Sequence, residues 1–180
     1  MLSSLQQHKV ALIAMPGGGK STLGWHLAQI MNVPFFDTDA LIEQQIGMSI
    51  KKWFEQKGEQ SFRDIEQNVI ARQSAGTNQV LATGGGAILR EINRLQLQGN
   101  FTVFYLHSSP GALYRRLRYD KTRPLLQVSN PLQRLEQLYQ ERDPLYRQTA
   151  DFVLETGRLG VQFLVNKILM QLELSATNSS

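Results

Sequence analysis

Six consecutive residues from Gly17 to Thr22, with the sequence GGGKST, have the composition of a phosphate-binding loop. Glycines suit such a loop because a backbone without side chains can approach an anion closely and donate its N–H groups to phosphate oxygens. The ammonium of Lys20 can reach the β- and γ-phosphates of a nucleotide, and the hydroxyl of Ser21 can bind Mg²⁺. The predicted nucleotide-binding residues here are Gly17, Gly18, Gly19, Lys20, Ser21 and Thr22.

Alanine at position 14 departs from the usual pattern G-x-x-x-x-G-K-[ST], which begins with glycine. If this position required a positive φ, alanine would cost about 1–2 kcal/mol, because its Cβ would crowd the following carbonyl oxygen. The apolar run from Val10 to Met15 predicts a β-strand that ends here, and the β region carries almost no such cost. We therefore expect Ala14 to have a negative φ.

Two aspartates, Asp37 and Asp39, follow the apolar residues from Val33 to Phe36, which predict a second strand. Ligands bind at the carboxyl ends of parallel strands, and residues two apart in an extended segment point to the same side. The spacing therefore predicts that both carboxylates face the phosphate loop, one toward Mg²⁺ and one toward an acceptor hydroxyl. Asp37, which ends the strand, is the expected acid for the metal. An ordinary Asx turn is the alternative interpretation of the pair.

A second glycine run, Gly84-Gly85-Gly86, follows the third apolar run of the chain. Glycine loses more backbone freedom on folding than any other residue, so three in succession are costly to order unless they serve a purpose. Their N–H groups form a second set of donors, which suits an anion or a closely fitting small molecule.

Short apolar runs alternate with helical periodicity, a pattern typical of βαβ units and of a parallel sheet covered on both faces. The predicted strands are Val10 to Met15, Val33 to Phe36, Gln79 to Ala82, Thr102 to Leu106 and Phe152 to Glu155. Ser109-Pro110 and Asn130-Pro131 each resemble a helix N-cap followed by proline at the first helical position. The polar stretches Gln56 to Phe62 and Tyr119 to Asn130 predict loops between helices, and the first should separate two short helices.

The composition is that of one ordinary globular domain, with 180 residues, 42% hydrophobic and 19% charged. We expect residues 1–174 to form this domain and residues 175–180 to form a flexible tail. The first apolar run is too short for a signal sequence or a membrane span, so no membrane association is expected. The chain contains no cysteine, which permits a reducing cytoplasm and excludes thiolate chemistry.

The net charge of +4 is unevenly distributed, because seven of the twelve arginines fall between positions 115 and 147. These are Arg115, Arg116, Arg118, Arg123, Arg134, Arg142 and Arg147. Any one of them can be a solvated residue on a helix face. Together they indicate small anionic ligands, and no nucleic-acid partner is predicted, since the aromatic and basic pattern of RNA-binding proteins is missing.

Six motifs follow one another between positions 17 and 147: GGGKST, DTDALIE, SFRDIE, ATGGGA, TRPLL and ERDPLYR. Several are weak individually, but in this order the chain resembles the shikimate kinase family over most of its length. The resemblance implies an α/β fold of three layers, the P-loop kinase fold of nucleoside monophosphate kinases, with a five-stranded parallel sheet flanked by helices. It also implies transfer of the ATP γ-phosphate, with Mg²⁺, to the 3-hydroxyl of shikimate in chorismate and aromatic amino acid biosynthesis.

The resemblance further implies roles for individual residues. The catalytic residues would be Lys20, Asp39 and Arg123, and the substrate-binding residues would be Asp39, Arg63, Gly84, Gly85, Gly86 and Arg142. Arg123 matches the arginine of a lid, at about residues 119–130, that closes over the ATP phosphates. Arg116 and Arg158 would contact the nucleotide, Ser21 and Asp37 would serve the metal, and residues 37–66 would form the substrate-binding region.

Some alternatives stay open at the level of sequence. Another small hydroxy-acid kinase of this fold, such as gluconate kinase, and a non-catalytic nucleotide-binding module are both compatible with parts of the pattern. A GTPase is excluded, because the nearest guanine-binding candidate, Asn166-Lys167-Ile168-Leu169, lacks the required aspartate. Arg115 or Arg118 could replace Arg116 at the adenine. We expect a monomer in the cytoplasm.

Overall fold

Five parallel strands form one sheet in the computed structural model, which describes residues 5–120 and 127–177. The strands are β1 (Val10–Ile13), β2 (Phe35–Asp37), β3 (Val80–Ala82), β4 (Thr102–His107) and β5 (Phe152–Glu155). Their order across the sheet is β2-β3-β1-β4-β5, so β1 is central, and Val10 pairs with both Val80 and Thr102. The five predicted strands are confirmed, although the second begins later than expected and includes Asp37.

Seven α-helices connect and cover these strands in the described part of the chain. They are α1 (Lys20–Met31), α2 (Thr38–Ile46), α3 (Ile50–Ala75), α4 (Glu91–Asn100), α5 (Pro110–Leu117), α6 (Pro131–Thr149) and α7 (Val161–Thr177). Both predicted N-caps are confirmed. The Ser109 hydroxyl accepts a hydrogen bond from the Ala112 N–H at α5, and the Asn130 side chain accepts one from the Gln133 N–H at α6.

The sheet separates two apolar layers, because successive residues of a strand point to opposite faces. Val10 and Leu12 of β1 belong to a buried cluster with side chains of α1 and α7. Ala11 and Ile13 belong to a second buried cluster, on the other face, with side chains of α3, α4, α5 and α6. The helix, sheet and helix layers confirm the predicted α/β architecture.

Helix α3 differs from its prediction. The expected loop from Gln56 to Phe62 is absent, because the residues on both sides of Gly58 are helical. The expected division into two helices is present as a kink at Gly58, the one residue of α3 with non-helical backbone angles (φ 81°, ψ 171°). Glutamine, lysine and glutamate flank this glycine, and all three are strong helix formers. At the carboxyl end of the chain, α7 continues to Thr177, three residues into the expected tail.

Three neighbouring strands end at the same edge of the sheet. β1 leads into the phosphate loop and α1, β2 leads to the two aspartates, and β3 leads into the glycine segment, by which we mean Gly84, Gly85 and Gly86. The parallel order therefore gathers, at one edge, the stretches that the sequence marks for chemistry. In the described ranges, we find no helix with the length and apolar character needed to span a bilayer.

Candidate active site

The phosphate loop depends on two glycines with left-handed backbone. Gly17 has a φ of 80°, and Gly19, which caps the amino end of α1, has a φ of 82°. Gly18 is needed for space instead, because a Cβ there would lie 2.7 Å from the Cβ of Ala14. Ala14 is buried. Its φ is not positive, because Asn32 is the one non-glycine residue with a positive φ in the described chain. The expected negative φ at Ala14 is confirmed.

Lys20 turns back over the start of the loop. Its ammonium donates to the carbonyl oxygens of Ala14, at 2.9 Å, and of Met15, at 3.3 Å. The side chain also lines the cleft above the loop, so the positive charge lies where the phosphates of a nucleotide would be received.

Ser21 and Asp37 come together at the end of β2, where the Ser21 hydroxyl donates to Asp37 Oδ2 at 2.6 Å. The other carboxylate oxygen caps α2 by accepting from the N–H groups of Asp39 and Ala40. A hydroxyl and a carboxylate side by side are the hard oxygen ligands that Mg²⁺ prefers, together with phosphate oxygens and water. In the described residues, no group of three or more acidic or histidine side chains could hold a metal ion.

The geometric reason for pairing Asp37 with Asp39 needs correction. We predicted one extended segment, but Asp37 is the last residue of β2 and Asp39 lies in the first turn of α2. The Asx-type capping that we considered as an alternative is also present at Asp37. Both carboxylates nevertheless line the same cleft, because the turn of the helix brings Asp39 back toward the phosphate loop.

The cleft has a volume of about 490 Å³. Its walls are the phosphate loop, the two aspartates, part of the glycine segment and Arg116, together with Pro16, Thr83 and Leu117. Polar groups dominate these walls, as expected for a charged ligand rather than an apolar one.

The glycine segment lies against three of the predicted substrate-binding side chains. A Cβ on Gly84 would lie 2.7 Å from Asp39 Oδ1, and a Cβ on Gly85 would lie 3.4 Å from Arg142 Nη1. A Cβ on Gly86 would overlap the guanidinium of Arg63. The absence of side chains therefore lets an aspartate and two arginines approach one stretch of backbone.

The backbone of this segment is held by two hydroxyl groups. The Gly84 N–H donates to Thr38 Oγ1 at 2.9 Å, and the Gly85 carbonyl accepts from the Tyr146 hydroxyl at 2.6 Å. The N–H groups of Gly85 and Gly86 have no protein acceptor among the described residues. These two N–H groups are therefore available to an acceptor outside the described residues.

Arg63 is held by a buried acid that the sequence analysis did not single out. Glu66 accepts from Arg63 Nη1 at 2.8 Å, and its side chain is 1% exposed. Burial raises the pKa of Glu66, while the charge of Arg63 and its hydrogen bond oppose that shift. The spacing i, i+3 on a helix was the available signal, since such residues share a face.

Three buried side-chain atoms near the glycine segment have no hydrogen-bond partner in the described chain. They are Arg63 Nε, Glu66 Oε2 and Arg142 Nε. Buried polar atoms are almost always paired, so unpaired ones beside a cleft indicate the place of a polar ligand.

Asp39 lies in surroundings that disfavour its charge. Water reaches the side chain through the open cleft, but the cleft walls surround it, and this desolvation is the main cause that raises the pKa of Asp39. The negative charge of Asp37 raises the pKa further, and Lys20 and Arg63 act in the opposite direction. A carboxylate with a raised pKa is a better proton acceptor than an ordinary one.

On the nucleotide side, the structure separates three neighbouring arginines. All three are exposed, but Arg116 lines the cleft and donates to the Gly157 carbonyl at 2.9 Å, whereas Arg115 and Arg118 do not line it. Arg158, next to Gly157, is exposed and is not part of the cleft wall. The predicted lid arginine, Arg123, lies outside the described residues.

A model of one enzyme family, described as shikimate kinase, matches residues 16–173 of the chain. The chain belongs to the shikimate kinase family. The shikimate kinase of Paracidovorax citrulli is 50% identical over 172 residues, which is 94% of each chain.

Solved structures agree with this membership. The shikimate kinase of Acinetobacter baumannii, determined in complex with shikimate, matches with a TM-score of 0.90 and 40% identity over 98% of each chain. A gluconokinase from Sinorhizobium meliloti matches with a TM-score of 0.61 and 17% identity, covering 96% of this chain and 95% of the other, which indicates a shared fold alone. The chain is therefore a phosphate-transferring kinase of the shikimate kinase family, and the non-catalytic alternative is not supported.

Proposed function

We propose that this chain transfers the γ-phosphate of ATP to the 3-hydroxyl of shikimate, giving shikimate 3-phosphate and ADP. The observation that carries the proposal is the position of Asp39, which lies in one cleft with the phosphate loop and touches the glycine segment that Arg63 and Arg142 also approach. A small hydroxy acid held there would present its hydroxyl to the terminal phosphate of a nucleotide on the loop.

Recognition of the substrate would rest chiefly on its carboxylate. The planar guanidinium groups of Arg63 and Arg142 suit a carboxylate because each can donate two parallel hydrogen bonds. The N–H groups of Gly85 and Gly86 would add donors at close range, and the unpaired Arg63 Nε and Arg142 Nε support this assignment.

Phosphoryl transfer needs positioning and neutralisation of charge more than covalent chemistry. In this proposal the 3-hydroxyl oxygen forms a bond to the γ-phosphorus while the bond from phosphorus to the β–γ bridging oxygen breaks, and the hydroxyl proton passes to Asp39. Lys20 and Arg123 neutralise charge on the transferred group. Ser21 and Asp37, the latter through water, would hold Mg²⁺, which supplies further neutralisation of the phosphates when bound.

The nucleotide side and the moving parts are also proposals. Arg116 would contact the adenine, with Arg158 nearby, and residues 119–130 would act as a lid that excludes water during transfer. Residues 37–66 would form the substrate-binding region of one domain within residues 1–174. A monomer in the cytoplasm, where ATP is available, completes the proposal.

An assay of ADP release tests the function. We expect ATP- and Mg²⁺-dependent ADP release when shikimate is added, and no stimulation by gluconate at equal concentration. Lys20→Met should bind shikimate normally but lose turnover, which separates loss of catalysis from loss of fold. Stimulation by gluconate and not by shikimate would overturn the proposal.

A further inference from the structure

The hydroxyl of Tyr146 connects two distant parts of the chain at the glycine segment. It donates to the Gly85 carbonyl at 2.6 Å across a separation of 61 residues, so α6 is joined to the backbone that follows β3. Tyr146 is fully buried, which commits its hydroxyl to this protein contact rather than to solvent.

This single bond sets the direction of a backbone donor. The carbonyl and the N–H of one trans peptide point in opposite directions, and the described residues contain no cis peptide bond. When Tyr146 fixes the carbonyl of Gly85, it therefore also fixes the N–H of Gly86. That N–H has no acceptor among the described residues.

The same hydroxyl interacts with a second component of the site. The Arg142 guanidinium, one helical turn earlier on α6, lies close enough for its positive charge to oppose the upward shift that burial causes in the pKa of Tyr146. Tyr146 thus bonds the glycine backbone and lies in the electrostatic field of an arginine to which the proposed function assigns the substrate carboxylate.

The ring that carries this hydroxyl is held in place by its neighbours. Tyr146 stacks on Tyr105, with ring centroids 4.9 Å apart and an interplanar angle of 26°. The Tyr105 hydroxyl in turn donates to Asp143 at 2.7 Å, and Asp143 also accepts from Arg147 Nε at 2.9 Å. The stack therefore restricts where the Tyr146 hydroxyl can lie.

We propose that Tyr146 is a positioning residue for the acceptor substrate, because its hydroxyl orients the peptide between Gly85 and Gly86, beside the Arg142 guanidinium, to receive the shikimate carboxylate. The inference rests on the proposed function. The proposed role of Tyr146 concerns shikimate and not the nucleotide, since Tyr146 does not line the cleft at the phosphate loop.

Tyr146→Phe tests the inference, because it keeps the ring and the stack but removes the hydroxyl. We expect the Kd for shikimate, measured by calorimetry, to rise about fivefold to twentyfold, since a carbonyl loses its donor and an arginine loses a neighbour. The Kd for ADP should change less than about twofold. The KM for shikimate should rise in parallel, with a smaller change in kcat.

Tyr105→Phe is the matched control, since it removes a buried tyrosine hydroxyl from the same stack but leaves the glycine segment untouched. It should lower the Tm by a similar amount and leave the Kd for shikimate unchanged. Equal effects of the two substitutions on shikimate affinity would overturn the inference. It would also be overturned if the Tyr146→Phe chain failed to fold while the Tyr105→Phe chain folded. A wild-type chain that does not phosphorylate shikimate would instead overturn the proposed function.

Discussion

At the scale of single residues, the site places two acids beside Gly84. Asp39 Oδ1 and Glu66 Oε2 would lie 2.7 Å and 3.1 Å from a Cβ at this position, and Arg63 pairs with Glu66. Desolvation raises the pKa of both acids, by the cleft walls at Asp39 and by burial at Glu66, so the ionised forms that the proposed function needs lower the stability of the fold. When such a destabilising charge is removed from an active site, the protein commonly becomes more stable and less active.

Asp39→Asn should show both changes. Removal of the proton acceptor should lower kcat about 10²- to 10⁴-fold. Because the folded state raises the pKa of Asp39, it binds the proton more tightly than the unfolded state, and the ionised form lowers stability at a pH above that raised pKa. The Tm of Asp39→Asn at neutral pH should therefore exceed that of the wild type, as measured by calorimetry. A lower Tm would contradict this interpretation.

The pH dependence of the wild type follows from the same shift. As the pH falls through the raised pKa of Asp39, the side chain takes up a proton and can no longer accept one from the substrate. The acid limb of kcat/KM for shikimate should therefore lie above the usual aspartate range, which centres on about pH 4. A limb at or below that range would remove Asp39 from the role of proton acceptor.

Glu66→Gln tests whether the buried acid orients Arg63. The substitution keeps the shape but removes the charge that faces the guanidinium, and the KM for shikimate should rise about tenfold. Glu59→Gln is the control, because Glu59 contacts the same arginine at 3.2 Å but its side chain is 58% exposed. An exposed pair contributes little, so this control should change the KM less than about twofold. Equal effects of the two substitutions on the KM would mean that the buried position of Glu66 gives it no special role in orienting Arg63.

At the scale of elements, α3 consists of two helical parts joined at Gly58, and the second part carries Arg63, a proposed substrate-binding residue, and its partner Glu66. Arg90, just after the glycine segment, holds that second part by donating to Gln60, Asp64 and Gln67 at distances of 2.7–3.0 Å. The kink at Gly58 precedes Arg63 and Glu66, which lie against the glycine segment, and both parts of α3 pack with α2.

Gly58→Ala should destabilise the fold. The backbone angles at Gly58 belong to a region that only glycine adopts readily, and a side chain there costs about 1–3 kcal/mol. Gly99→Ala in α4 is the control. A Cβ would meet nothing within 4 Å at either position, and the two glycines differ because only Gly58 has a positive φ. That control should stabilise the chain by up to about 1 kcal/mol. Urea unfolding of both variants measures the difference, and a stable Gly58→Ala chain would show that α3 can straighten.

The elements were predictable where the signal is local, and the site was predictable where residues bear recognisable chemistry. Strand periodicity and the capping residues Ser109 and Asn130 required only neighbours in sequence. The roles of Thr38 and Tyr146 were not predictable, because each acts through a contact with the glycine segment that the tertiary fold creates. Glu66 was missed for the same reason, although its helical spacing from Arg63 offered a partial signal.

At the scale of the whole molecule, the proposed function assigns the two ligands to different parts of the fold around the central strands. The nucleotide side uses the loop after β1 and Arg116 of α5, which is tied to the segment after β5 through Gly157. The acceptor side uses α3, the glycine segment and α6. Asp39 is the point at which the two sides meet.

This division predicts opposite effects for two arginines. Arg142→Ala should raise the KM for shikimate about 10- to 100-fold, because a charge-assisted contact to the carboxylate is lost, and leave the KM for ATP nearly unchanged. Arg116→Ala should raise the KM for ATP and spare shikimate. Steady-state kinetics with each substrate varied in turn measures both constants. Arg142→Ala with equal changes in both constants would contradict the division into two sides.

The contact between Ala14 and Gly18 has a consequence for the evolution of this loop. The methyl group of Ala14 occupies the space that a side chain at position 18 would need, and the Met15 carbonyl, 3.0 Å away, is the next obstacle. Replacing the first glycine of the motif with alanine is therefore tolerated only while position 18 stays glycine. The effects of the two positions therefore depend on each other. Gly18→Ala should destabilise the loop more in this chain than in a relative that carries glycine at position 14, so Ala14 restricts which substitutions the loop can accept.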